Sequence, residues 1–311
     1  MQSAKNIAII AASGTLGSVV LKKLLDAGNF TVTVLTRAGS FSRFPDNAKV
    51  LDVDYSSHES LKRAFAGQDI VLSFVPTVAA ESQIAIINAA AEAGVSRFIP
   101  SEYSANLDNE KARNLPIFRP KVKVQEHLVE TAKFSGLTYT FIYGGAWLDA
   151  GSSRSFVLNF SGQTTCLYDG GDVPFSATTL GSVADAVLST ITHLDETRNR
   201  SVFVHSLVTT QNHLVSLAKE VAPELLWNTT SIKLDDLTAK SDKRLAQGLF
   251  DFETFSPYIF RAIFDPKFGG LYVKTDNQLL GIHEASDEDV KSIFRRIFEA
   301  LKVSPDSTQD I

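Results

Sequence analysis

The sequence predicts an α/β fold, with a doubly wound parallel sheet in its first half and a smaller, mainly helical C-terminal region. Three observations carry this. Short apolar runs alternate with helical spacings over residues 1–150, a glycine turn joins the first run to the first helix, and the later strands are separated by stretches long enough for helical crossovers. Asn6–Ala11 is almost wholly apolar (Ile7, Ala8, Ile9, Ile10), as suits a strand covered on both faces. Leu16, Val19, Val20, Leu24 and Ala27 recur at helical spacing, and Gly28 is placed as the C-terminal cap. Phe30–Thr36, Val50–Val53 and Ile70–Val75 read as the next three strands, with helices over Ser57–Ala66 and Glu81–Ala93. Arg97–Pro100 and Thr138–Tyr143 flank a helix over Pro120–Ser135.

After Ala150 the alternation weakens. Phe175–Leu194 reads as a strand end leading into a helix and Val202–His205 as another strand, so residues 175–206 are expected to return to the same sheet. Residues 207–311 read as a mainly helical substrate-binding region, ending in a helix near Ser286–Lys302 with Ser286 as N-cap and a polar tail, Ser304–Ile311, expected to fray.

Composition narrows the function. The 311 residues are 44% hydrophobic and 21% charged, which suits one large domain or two interlocked ones and disfavours disorder or a coiled coil. Thirty basic residues against thirty-five acidic ones give a net charge of -5, so no nucleic-acid partner is expected. A single cysteine, Cys166, excludes an internal disulfide and fits a reducing, cytoplasmic location. Gly14 and Gly17 interrupt the early apolar run, which therefore reads as strand, turn and helix rather than a signal peptide. No apolar segment reaches the roughly 20 residues that cross a bilayer, so no membrane partner is expected. Sequons at Asn29, Asn159 and Asn228 matter only in the secretory pathway. The six histidines, His58, His127, His193, His205, His213 and His283, lack metal-ligand spacing, so no metal is expected. His127 falls off the helix face of Lys121. Neither a Gly-x-Ser-x-Gly elbow nor a P-loop is present.

The turn Ala11-Ala12-Ser13-Gly14-Thr15-Leu16-Gly17 lies where backbone N–H groups and a helix dipole can hold a pyrophosphate, with Ser13 and Thr15 as added hydroxyl donors. The alternative is a tight turn that binds nothing. At the end of the second strand the acidic residue that selects NAD is missing, and Arg37 stands there instead. A guanidinium pairs with a 2′-phosphate, so NADPH is favoured over NADH; the alternative is a solvated loop arginine. Asp54 either borders the adenine or caps the next helix, and Val75 and Pro76 are cofactor-binding candidates at the end of the fourth strand.

These residues resemble the NmrA-like and isoflavone-reductase-like branch of the atypical short-chain dehydrogenase/reductases, particularly its fungal members. The resemblance rests on Ala11–Gly17, Val34–Arg37, Phe98–Tyr103 and Lys121–Leu128. It implies a Rossmann-like NADPH-binding domain over residues 1–150, an active site between it and the substrate region, and Lys121 as the catalytic lysine. Phe141–Asp149 resembles the family segment beside the nicotinamide, which adds Tyr143, Gly145 and Trp147 as cofactor-binding candidates. By spacing alone, Lys121 can hold the ribose, exchange a proton if desolvated, or be a plain surface lysine. Two departures stand out: Ala11 replaces the first glycine of the turn, and Ile117 stands four residues before Lys121, where ordinary short-chain dehydrogenases carry a tyrosine.

Tyr103 and Trp147, each just past a strand end, are substrate-binding candidates, with Trp147 also placed beside the cofactor. The aromatic cluster Phe250, Phe252, Phe255, Tyr258, Phe260, Phe264, Phe268 and Tyr272 is either core or pocket wall, with Tyr258 taken as a further substrate-binding candidate. The leading expectation is an NADPH-dependent reductase of a hydrophobic, aromatic or polyketide-like metabolite, acting as monomer or homodimer. A dinucleotide-sensing regulator and a redox-silent isomerase or cyclase are the alternatives.

Overall fold

The computed structural model describes residues 5–150, 157–158, 164–225 and 227–303; the sequon at Asn159 and the tail 304–311 lie outside them. The first half follows the expected alternation: β1 (Asn6–Ile10), α1 (Thr15–Ala27), β2 (Thr31–Arg37), β3 (Lys49–Val53), α2 (His58–Phe65), β4 (Ile70–Ser73), α3 (Gln83–Glu92), β5 (Arg97–Ile99), α4 (Glu110–Arg113), α5 (Arg119–Phe134) and β6 (Thr138–Tyr143). It continues through β7 (Ala146–Trp147), β8 (Thr165–Tyr168), β9 (Phe175–Thr178), α6 (Leu180–Thr192), β10 (Arg200–Phe203), β11 (Leu207–Thr209) and α7 (Gln211–Val221). The last elements are β12 (Thr229–Ile232), α8 (Leu234–Ala246), α9 (Phe252–Phe264), α10 (Asn277–Leu280) and α11 (Asp287–Val303).

Seven strands form a wholly parallel sheet in the order β10-β6-β5-β4-β1-β2-β3. Both faces are covered. Leu16, Val20, Leu21 and Leu24 of α1 pack with Val183, Ala184 and Val187 of α6 on one side. Leu61 and Phe65 of α2, Ile86 and Ile87 of α3, and Val124 and Leu128 of α5 pack on the other. Burying each such side chain contributes about 1.5–3 kcal/mol, which is why β1, apolar throughout, takes a central position. The chain winds outward in both directions from β1 and β4, so helices leave a crevice at the carboxyl ends of those two strands.

One expectation needs correction. Residues 175–206 do not all return to the main sheet: β10 and α6 do, but β9 pairs in parallel with β7 and antiparallel with β11 in a separate three-stranded sheet. The chain leaves the main sheet after β6 through Gly145, at a φ of 69°, and the emerging β7 offers β9 an edge. The edge of β6 is instead taken by β10, with Val202 opposite Ile142. That strand also begins earlier than expected, at Arg200, and ends at Phe203. β8, β11 and β12 are too short to show a period in the sequence.

The C-terminal elements α7, α9 and α11 share a third core with β8 and β9, around Phe175, Leu214, Phe264 and Phe294. Ser286 caps α11 as expected: its Oγ accepts from the Asp289 N–H at 3.3 Å, while its own N–H donates to Asp289 at 2.8 Å. Among the described residues no helix is long and apolar enough to cross a membrane.

Gly17 fixes the approach of α1 to β1. A Cβ there would lie 2.5 Å from the Ala11 carbonyl oxygen and 3.0 Å from the Ala12 Cα. Gly17→Ala must therefore push α1 away from β1, and we expect it to lower the unfolding free energy by about 1–3 kcal/mol. Urea denaturation checks this; an unchanged midpoint at unchanged slope contradicts the contact.

Candidate active site

The crevice begins at the turn between β1 and α1. Gly14 is the N-cap of α1 in extended conformation, and no side chain caps the helix. By contrast, Ser57, Thr179, Thr210 and Asp251 each cap their helices by accepting a backbone N–H. The first N–H groups of α1 thus face the crevice without a capping side chain, with the positive end of the helix dipole behind them. Ala11 accepts the Gly14 N–H at 3.1 Å and adopts a φ of 58°, in the left-handed region that glycine occupies freely.

Two cavities meet at this turn, sharing Ala11, Ser13, Val75 and Pro76. The smaller, about 360 Å³, reaches the end of β2 and is lined by Arg37, Ser40, Ser42, Phe44 and Tyr55. Tyr55 anchors one wall by donating its hydroxyl to the Leu35 carbonyl at 3.0 Å, and burial pushes that hydroxyl up to about 12. The larger, about 600 Å³, runs past Ser13, Gly14, Thr15, Leu16 and Gly17 to Lys121, Tyr103 and Trp147. Its remaining wall is largely apolar, with Phe74, Ile117, Phe118, Ile259 and Ile263.

Lys121 stands on the first turn of α5, just after Pro120, and is 8% exposed. Its Nζ donates to the Glu102 carbonyl oxygen at 3.1 Å and lies 3.8 Å from the Glu102 carboxylate, itself buried. Burial lowers the proton affinity of Lys121, and the Glu102 charge opposes that shift. Burial raises Glu102 in turn, against the Lys121 charge and a hydrogen bond from Gln125. The surface-lysine alternative is thereby removed, since Lys121 is neither exposed nor unpartnered.

The remaining candidates divide. Ser13, Gly14, Thr15, Leu16, Gly17, Arg37, Val75, Pro76, Tyr103 and Trp147 all border the crevice. Trp147 is held there by its indole N–H, which donates to the Tyr103 carbonyl at 3.0 Å. Asp54 does not line the crevice: Ser56 donates to its carboxylate from both N–H and hydroxyl, which holds the acid below its usual range, and Tyr55 takes the wall position. Tyr143 is buried behind the site, stacked obliquely against Phe203, with its hydroxyl accepting from Gln125 at 2.9 Å. Alternation along β6 sends its side chain into the core. Gly145 serves the backbone, since a Cβ would meet the Ser176 carbonyl at 2.3 Å.

Tyr258 is likewise buried in the core, with its hydroxyl donated to Asp242. None of the eight clustered aromatics borders the larger cavity; the aliphatic Ile259 and Ile263 of the same helix do, because α9 turns that face inward. His127 contacts Asn88, away from the crevice. Sequence reasoning missed Glu102, Tyr55, Ile117, Phe118, Ile259 and Ile263. Glu102 carried a signal, as an acid directly after a strand end, whereas the apolar wall residues look like any core position.

A doubly wound sheet with an uncapped glycine turn at its switch point defines a protein of the Rossmann-like class. Within that class the chain belongs to the NmrA-like family, whose model matches residues 3–222. It is similar to the oxidoreductase aprR of Aspergillus flavus, 34% identical over 244 residues, covering 77% of this chain and 80% of the relative. It also resembles the oxidoreductase poxI of Penicillium oxalicum, 28% identical over 293 residues and 90% of each chain. Among solved structures, the leucoanthocyanidin reductase–NADPH complex from Vitis vinifera shares the fold, with a TM-score of 0.74 at 20% identity over 94% of this chain and 99% of that one.

Ala11 has a left-handed backbone, which costs about 1–2 kcal/mol. We expect Ala11→Gly to raise the unfolding free energy by about 1 kcal/mol, the relieved strain outweighing the added freedom of the unfolded chain. Thermal unfolding reads this; a lowered midpoint shows that the alanine is not strained.

Proposed function

We propose that the protein is an NADPH-dependent reductase of a hydrophobic, aromatic or polyketide-like small metabolite. The observation that carries the reading is that one cavity holds both the uncapped turn of α1 and the buried amine of Lys121. The names of its fungal relatives, both oxidoreductases, and the NADPH in the Vitis vinifera reductase complex support it. Residues 1–150 form its cofactor-binding part and residues 207–311 its substrate-binding region, with α6 and β10 completing the sheet.

The residues fit a phosphorylated dinucleotide. Gly17 leaves room for α1 to bring its N–H groups to the crevice, and those groups receive a pyrophosphate. Arg37, at the mouth of the smaller cavity beside Ser40, matches a 2′-phosphate, and the Tyr55 wall suits an adenine. Bound NADPH supplies the hydride. Lys121 holds the ribose or gives a proton to the substrate oxygen that takes up negative charge, and the apolar wall keeps water out while accepting a flat ligand. Ala11 lines both cavities and leaves space on either side of the turn, which favours cofactor use over the redox-silent alternative. Lys121 buried against open space favours catalysis over sensing alone. We place the protein in the cytoplasm, as a monomer or homodimer.

Isothermal titration with NADPH, and NADPH absorbance with a panel of carbonyl and enone substrates, test the reading. Absence of binding at millimolar NADPH and NADP⁺ overturns it. Arg37→Ala removes a charge-assisted contact of about 1.5–3 kcal/mol, so we expect NADPH affinity to fall about tenfold to a hundredfold while NADH affinity stays level. Lys121→Ala should reduce turnover by about a hundredfold or more yet still bind NADPH. Full turnover in that variant removes Lys121 from the chemistry.

A further inference from the structure

We propose that Glu102 is the positioning residue of Lys121: its carbonyl aims the amine into the cavity, and its carboxylate supplies the charge that lets an ammonium persist out of water. The inference rests on the reading above, in which Lys121 meets cofactor and substrate. Two acceptors belong to one residue, at 3.1 Å for the carbonyl and 3.8 Å for the carboxylate. The shorter contact sets direction, while the longer one acts through charge.

The surroundings hold Glu102 still. The Glu102 N–H donates to the Pro100 carbonyl at 2.8 Å, and the neighbouring Ser101 N–H donates to the buried Gln83 side chain at 3.0 Å. On the other side Tyr103 takes a φ of 52°, with its carbonyl bound by Trp147. A non-glycine residue in that region is strained, and just before this bend the Glu102 carbonyl accepts from Lys121 of α5. Gln125, four residues after Lys121 on α5, hydrogen-bonds the carboxylate. Gln125 is oriented in its turn, accepting from Arg113 at 2.7 Å and donating to Tyr143 at 2.9 Å.

The charges around the pair are few. Arg113 and Asp108 act on Glu102 with opposite signs, and the buried hydroxyls of Tyr103 and Tyr143 stay protonated beside it. Glu102 is the charged group that acts on Lys121. A buried ammonium without a counter-charge releases its proton, so removing the carboxylate must make Lys121 a weaker base. A residue that merely filled space would leave the lysine titration where it was.

The test uses the cofactor-free protein, with lysine enriched in the NMR-active carbon isotope at Cε, and follows the Lys121 signal against pH. Lys121→Met identifies that signal by its loss. In Glu102→Gln we expect the midpoint to fall by about one pH unit or more, a tenfold loss of proton affinity, with Glu102→Asp restoring part of it. A midpoint equal to that of the unaltered protein overturns the proposal. Should Glu102→Gln not fold, Lys121→Met gives the reciprocal reading by infrared spectroscopy at neutral pH. The protonated carboxylic acid band must then exceed that of the unaltered protein, and an equal band overturns the proposal. Neither readout involves NADPH, so a failure here is distinct from a failure of the reductase reading, which the NADPH titration decides.

Discussion

The contact between Gly17 and the end of β1 governs the arrangement of the whole crevice. Because the first turn of α1 lies against the Ala11 carbonyl with no room for a methyl, the helix meets the sheet at its switch point with its amide end facing outward. α1 then packs with α6 over one face of the sheet, and that packing makes the helix direction, and so its dipole, a fixed property of the core. The cavities on either side of the turn are consequences of this placement. They occupy the space left where β1 and β4 diverge to opposite crossovers.

A second, polar centre depends on the first. The turn after β5 lines the larger cavity opposite α1, and it is bent by a left-handed Tyr103 whose ring stacks on Phe74 at 4.9 Å. Its strain is sustained because Gln83, Lys121 and Trp147 each bond to consecutive residues of the turn. Behind it, Gln125 accepts from the half-buried Arg113 and donates to the buried Tyr143, so that both ends of its amide have a partner, as low-dielectric surroundings demand. The site is therefore backed by rigid polar packing on one side and bounded by aliphatic side chains of α9 on the other.

Much of this was legible in the residues. The apolar runs at β1, β2, β4 and β6, the spacing in α1 and α5, and the caps at Gly28 and Ser286 are local signals, and each element formed where they placed it; the cap of α2 is Ser57 rather than Asp54. Ser13 to Gly17, Arg37, Val75, Pro76, Lys121, Tyr103 and Trp147 reached the crevice because the topology of alternating strands and helices brings strand ends to one edge. The candidates that did not reach it failed for local reasons. Asp54 is satisfied by its own turn, Tyr143 and Tyr258 point into the core, and Gly145 serves a close backbone approach.

The sequence by itself determined the period of each element, and with it the parallel sheet and the glycine turn, because hydrophobic spacing and capping act over a few residues. It also determined that Lys121 and Gln125 share a helix face. Only the tertiary structure decided that β9 would leave the main sheet for β7 and that Ile259 and Ile263 would close the cavity. It likewise decided that Glu102 would stand beside Lys121. Those outcomes depend on which surfaces meet across long stretches of chain, and burial there sets the charge and partners of a side chain in a way no neighbouring residue encodes.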